Sequence, residues 1–144
     1  MSQRDYEWTE DFEKGVNLRK AVLGDAHVER SLARGREDPF MLLIQQFTTD
    51  VAWGRVWARP GLERRVRSML SVTLLAALGK KDELKNHILG ALNNGVTRDE
   101  IQEVLLHTTV YAGFPAGLEA FRVAKELFDE LDAAAERVDE VEPE

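Results

Sequence analysis

The chain contains no cysteine. That absence excludes a disulfide scaffold, a thiolate zinc site, a cysteine nucleophile and CxxC redox chemistry. No stretch alternates β-branched and polar residues between turn signals, so a sheet is not expected. No apolar run is long enough to span a membrane, and Met1 to Lys20 is polar and charged, unlike a signal peptide. A cytoplasmic location without a membrane partner is the expectation. HExxH, GxSxG and phosphate-cradling glycine loops are missing too. There are only three histidines, His27, His87 and His107, on separate segments. They make a weak metal signal, and no metal site is expected.

What is present is an ordinary globular composition. The 144 residues are 44% hydrophobic and 31% charged, enough for a single domain with a real core. The formal charge is 19 − 26 = −7. Asp129 to Glu144 holds eight acids and one base, Arg137, so the tail alone carries −7 and the body is neutral. Within that body the stretch Arg55 to Arg67 holds five arginines (Arg55, Arg59, Arg64, Arg65, Arg67) and one acid, Glu63. The guanidinium fork matches carboxylates and phosphates, so this stretch is either a solvated, salt-bridged helix face or a site for an anionic ligand. One short stretch is not the broad basic face that nucleic acid needs, and no nucleic-acid partner is expected.

The patterning is helical throughout. Trp8, Phe12, Val16, Arg19 and Leu23 recur at helical spacing, and Gly24 ends that helix. Asp25 to Asp38 reads as a linking segment. Asp38 and Pro39 form an N-cap and first helical position, opening a helix that carries Phe40, Leu43, Ile44, Phe47 and Val51 and ends near Trp53-Gly54. After Arg59-Pro60-Gly61 a helix runs from about Leu62 to Leu78. From Met69 on it is apolar nearly all round, which predicts a helix buried on every side, in a bundle or in an oligomer. Asp82 to Leu92 carries Leu84, Ile88 and Ala91 on one face, and Asn93-Asn94-Gly95 closes it. Thr97 and Glu100 form a capping box. The helix they open carries Ile101, Val104, Leu105, Thr108 and Tyr111. Gly95 to Ile101 resembles the turn of a helix-turn-helix, but Asp99, Glu100 and Glu103 would repel DNA. A last helix runs from about Ala116, with Leu118, Phe121, Ala124, Leu127, Phe128 and Leu131 inward. The expectation is an all-α domain of about six helices over residues 1–135, followed by an acidic tail, 136–144, that frays.

Two histidines are candidates for chemistry. His87 lies in the stripe of Leu84, Ile88 and Ala91, with Glu83 one turn earlier. A carboxylate there can orient the imidazole and raise its pKa, which suits proton transfer near neutrality. A core histidine satisfied by one hydrogen bond, or a surface Glu–His pair, fits the same spacing. His107 stands four residues before Tyr111, and the two can present a proton donor and a hydroxyl to one cleft, or be partly exposed. His27 reads as structural.

Several segments together resemble one family. The run Ala52-Trp53-Gly54-Arg55-Val56-Trp57-Ala58-Arg59-Pro60-Gly61-Leu62 is similar to the AWGxxWxRPGL segment of 4-carboxymuconolactone decarboxylases. Arg64-Arg65-Val66-Arg67-Ser68, Ala77-Leu78-Gly79, Asp82-Glu83-Leu84, His87, Asn94-Gly95-Val96-Thr97, Leu106-His107, Tyr111-Ala112-Gly113 and Pro115-Ala116 follow in the family's order. His27-Val28 and Arg30-Ser31-Leu32 fit as well. The likeness covers roughly residues 10–130.

The resemblance implies an alkylhydroperoxidase-like helical fold assembled as a homo-oligomer, a hexamer or trimer. It implies decarboxylation of 4-carboxymuconolactone to 3-oxoadipate enol-lactone in protocatechuate degradation, without a cofactor. Redox relatives carry a CxxC that would fall at Lys80 and Glu83, and its absence closes the peroxidase branch. The substrate would be a small anionic lactone. Arg67 and Arg64 would hold its carboxylate and the developing oxyanion. His87 would donate the proton, with Glu83 orienting it. Trp53, His107 and Tyr111 would line the cleft. The turn Phe114-Pro115-Ala116-Gly117-Leu118 departs from the family's Pro-Ala-Ala/Ser-Asn pattern. That keeps open a paralogue acting on a related lactone or acid, and outside catalysis a helical oligomer that binds an acidic ligand.

Overall fold

The computed structural model describes residues 5–141. Among them it is helical without a strand, as the sequence predicts. There are seven α-helices and one π-helical segment: α1 (Glu10–Leu23), α2 (Asp25–Glu37), α3 (Pro39–Phe47), the π-helix (Thr48–Trp57), α4 (Arg64–Leu78), α5 (Lys81–Asn93), α6 (Arg98–Ala112) and α7 (Phe114–Val141). The chain divides into two compact units, with the division inside α4 after Arg67.

The first unit is built on local signals. Thr9 caps α1 by accepting a hydrogen bond from the Phe12 amide at 3.1 Å, and Glu10, Asp11 and Glu13 complement the helix dipole. Asp38 caps α3 through the Phe40 amide at 3.0 Å, with Pro39 in the first turn. The segment expected to link these helices is itself helix α2. Its buried side is only Val28, Ser31, Leu32 and Gly35, a stripe too thin and polar to register as apolar periodicity.

Phe40, Leu43, Ile44 and Phe47 point outward, and it is Leu42 and Gln46 that are buried. A short helix apolar on most sides leaves its inner face undetermined by periodicity. The helix also does not end near Gly54. It widens into the π-helix, which runs on to Trp57. The same segment crosses α1 closely. A Cβ on Gly15 would lie 2.1 Å from the Thr49 carbonyl oxygen, and one on Gly54 would lie 2.1 Å from that of Asp11. Each glycine lets the opposite backbone in. Arg19, buried on α1, pins the same crossing by donating to Gln45 Oε1 at 3.0 Å and Thr49 Oγ1 at 3.3 Å. Burial lowers its pKa from the ordinary arginine value.

The second unit packs α5, α6 and α7 with the remainder of α4. Its core includes Val72, Leu84, Ile88, Ile101, Leu105 and Leu127. Thr97 and Glu100 make the expected capping box, with reciprocal bonds of 3.0 and 3.2 Å. Asn94 Nδ2 donates to Oγ of the fully buried Ser68 at 2.9 Å, tying the turn after α5 to α4. Arg98 forks onto Asp132 at 2.8 and 3.2 Å and lies over the Phe128 ring. Within the single chain, helix α4 is not enclosed on every side. Val72 and Ala76 are enclosed, while Leu70, Leu74 and Leu78 are half or more exposed. Tyr111 and Leu118 also face outward, at 80% and 52% exposure, so the inward faces of α6 and α7 are narrower than expected. Helix α7 continues through residues 136–141 of the acidic segment, and 142–144 lie outside the described residues.

Candidate active site

The arginine-rich stretch folds as the end of the π-helix, a turn at Arg59-Pro60-Gly61, and the first turn of α4. Arg64 is exposed there and lines an open cleft of about 520 Å³ in the first unit, together with Lys14 and Asn17 of α1 and with Trp57, Arg59 and Leu62. Arg67 is half-buried, and its Nη2 donates to the Arg59 carbonyl at 3.3 Å. Its Nε is buried without a hydrogen-bond partner among the described residues. A buried guanidinium N–H without an acceptor is costly.

Trp53 is 4% exposed and belongs to the first unit's core. It stacks on Trp57 with centroids 4.7 Å apart and planes 22° apart. The indole at the cleft is therefore that of Trp57, held in place by Trp53. Trp53, expected from the sequence to line a cleft, therefore stands behind Trp57 at this one. The four-residue spacing of two tryptophans beside five arginines was the available signal.

In the second unit, His87 is half-buried on the core-facing side of α5, between Leu84 and Ala91, as the stripe predicts. Glu83 is exposed one turn earlier. A half-buried imidazole keeps one side toward solvent or ligand, as a proton donor requires.

His107 and Tyr111 are brought together, with ring centroids 5.0 Å apart, but both are exposed. The groove beside His107 is lined by Asp99, Glu100 and Glu103. Three carboxylates repel an anion, so the electrostatics favour the arginine cleft over this groove for anion binding. His27 lies on α2, where burial first, and then Arg19, Arg30 and Arg34, push its pKa down. Among the described residues no metal-ligating cluster is present, and no helix is long and apolar enough to cross a membrane.

Comparison with known proteins identifies the family. Residues 43–126 match the family model described as carboxymuconolactone decarboxylase family. The chain is 44% identical over 127 residues to 4-carboxymuconolactone decarboxylase of Acinetobacter baylyi, covering 88% of this chain and 93% of that protein. It is 42% identical over 120 residues to nitrosuccinic acid decarboxylase of Metarhizium robertsii, covering 83% and 82%. The matched region holds the π-helix, the arginine turn, His87 and the His107–Tyr111 pair. The chain belongs to the carboxymuconolactone decarboxylase family.

Proposed function

We propose that the protein is a carboxy-lyase that decarboxylates 4-carboxymuconolactone to 3-oxoadipate enol-lactone, a step in the degradation of aromatic compounds through protocatechuate. The observation that carries this is the 44% identity to 4-carboxymuconolactone decarboxylase across nearly the full length of both chains. The substrate is its own electron sink. Carbon dioxide leaves, and the electron pair delocalises into the lactone carbonyl as a dienolate. A proton then closes the reaction at carbon. The protein must hold the retained carboxylate, stabilise the oxyanion and deliver that proton. No cofactor is required for such a step.

Arg67 and Arg64 take the carboxylate and the oxyanion in this proposal. The exposed fork of Arg64, and the half-buried position of Arg67 one turn along the same helix, support those roles. His87 donates the proton and Glu83 orients it. Trp53, His107 and Tyr111 remain proposed contacts of the pocket, Trp53 acting through the Trp57 ring that it supports. The protein works as a cytoplasmic homo-oligomer, a hexamer or trimer. In support, Phe40, Leu43, Phe47, Leu74, Val110 and Phe114 are each at least 60% exposed, large apolar side chains that partner copies would cover.

A second reading concerns the substrate. Nitrosuccinic acid decarboxylase matches almost as well, and the turn from Phe114 departs from the family pattern. A related small acid is therefore the alternative. Supplying purified protein with 4-carboxymuconolactone and, separately, with nitrosuccinate, and following carbon dioxide release, decides between them. Faster turnover of the lactone supports the main reading, and turnover of nitrosuccinate alone replaces it.

A further inference from the structure

Helix α2 gathers cations that no acid answers. His27, Arg30 and Arg34 follow at i, i+3 and i+7, so they share one face of the helix. Arg30 and Arg34 are exposed, and His27 is half-buried. Two like charges four residues apart on a helix destabilise it, with Cβ atoms about 5–6 Å from each other. Arg34 Nε donates to the Arg30 carbonyl at 3.4 Å, and neither guanidinium pairs with a carboxylate among the described residues. From α1 comes Arg19, 7% exposed and held by the neutral acceptors Gln45 Oε1 and Thr49 Oγ1, again with no carboxylate among the described residues. The neighbouring acids do not offset this group. Glu29 pairs with Lys20 at 3.2 Å, Asp5 pairs with Arg36 at 3.2 Å, and Asp25 is exposed in the first turn of α2. Helix α3, which packs on α2, carries no charged residue. The charges that act on His27 are those of Arg19, Arg30 and Arg34, all positive.

We propose that the His27–Arg30–Arg34 face of α2 binds a compact tetrahedral oxyanion of the phosphate type. Arg30 and Arg34 present their forks from successive turns, His27 supplies a ring N–H, and the buried Arg19 adds charge from behind without touching the ligand. A tetrahedral oxyanion turns its oxygens in several directions and can meet two forks and an imidazole together. A lone carboxylate is planar, and one fork fills it. Binding reverses the balance at His27: a ring whose charge three arginines oppose gains an anion that favours that charge. None of these residues lines the arginine cleft. The site is additional to the one proposed for the substrate and does not rest on the decarboxylase reading.

The probe is inorganic phosphate, titrated into the full chain at an ionic strength held constant with sodium chloride. The imidazole signals are followed by NMR, those of His27 being identified by their loss in His27→Gln. A saturable shift of the His27 signals is expected, and at saturation the midpoint of its titration moves up by about one pH unit or more. Arg30→Gln/Arg34→Gln, two changes at exposed positions, abolishes the response with an unchanged far-ultraviolet circular dichroism spectrum. Arg59→Gln/Arg64→Gln removes the same charge from the cleft and leaves the response in place, as does Lys80→Gln/Lys81→Gln. Acetate at matched ionic strength binds roughly tenfold more weakly. No saturable response at His27, a response that survives Arg30→Gln/Arg34→Gln, its loss in either control variant, or an equal response to acetate each overturns the proposal. Binding is read without turnover. A protein that shows the phosphate response but is inert toward 4-carboxymuconolactone refutes the decarboxylase reading alone. An active decarboxylase without the response refutes this site alone.

Discussion

Arg67 Nη2 donates a hydrogen bond to the backbone carbonyl of Arg59, 3.3 Å away. The bond folds the Arg59-Pro60-Gly61 turn back onto the start of α4, and it sets where the Arg59 side chain leaves the backbone. Arg67 thus has one N–H engaged with the protein and a buried Nε still without a partner among the described residues. Lysine keeps the charge but cannot make both contacts. Arg67→Lys is expected to raise KM for the lactone roughly tenfold, with a smaller fall in kcat and an unchanged helical spectrum. Steady-state kinetics checks this, and an unchanged KM and rate would make Arg67 purely structural.

His87→Ala removes the proposed proton donor. Turnover is expected to fall by about two to four orders of magnitude, the usual contribution of general acid–base catalysis. Glu83→Gln, which removes only the orienting charge, is expected to cost less and to shift the pH profile of kcat. Near-wild-type turnover in His87→Ala would remove His87 from the mechanism.

Gly54→Ala places a methyl group where the Asp11 carbonyl oxygen already stands, 2.1 Å from the added Cβ. Neither partner is a flexible side chain, so α1 and the π-helix must separate. A loss of about 3 kcal/mol of stability is expected, at the upper end of overpacking effects. Thermal unfolding at fixed protein concentration measures it. A midpoint equal to that of the parent protein would contradict the tight crossing.

His27 titrates below its ordinary value of about 6.5, because burial and three arginines oppose its charge. Its folded pKa is therefore lower than its unfolded one, and below about pH 6.5 the unfolded chain takes up the proton first. Stability falls on acidification through that window and levels off once pH passes the depressed folded value. His27→Gln should flatten this part of the stability curve, as read from denaturant midpoints between about pH 7 and pH 5. An identical pH dependence in the variant would refute the assignment.

The parts of the fold that were legible in the sequence are those governed by short-range rules. Asp38-Pro39 and the Thr97–Glu100 box were read correctly because a cap needs only a few neighbouring residues. The Leu84, Ile88 and Ala91 stripe placed His87 on the core-facing side of α5. Helix α2 was missed because its buried stripe includes Ser31 and Gly35. The π-helix was missed because no local pattern marks it, and the close crossing that Gly15 permits lies thirty-three residues before it begins. The outward faces of α3 and α4 show the limit of periodicity where a helix is apolar on several sides. The candidate site divides the same way. Five arginines within thirteen residues were legible in the sequence, as a salt-bridged helix face or a candidate anion site. Lys14 joins them only through the tertiary packing of α1, which no local pattern encodes.

The central claim is the decarboxylation itself. Purified protein is mixed with 4-carboxymuconolactone in the presence of a chelator and without any added cofactor, while carbon dioxide and lactone absorbance are followed together. The account predicts catalytic release of one carbon dioxide per lactone consumed, with 3-oxoadipate enol-lactone as the product. Lactone that persists at its uncatalysed rate, with no carbon dioxide released above the protein-free control, would contradict it.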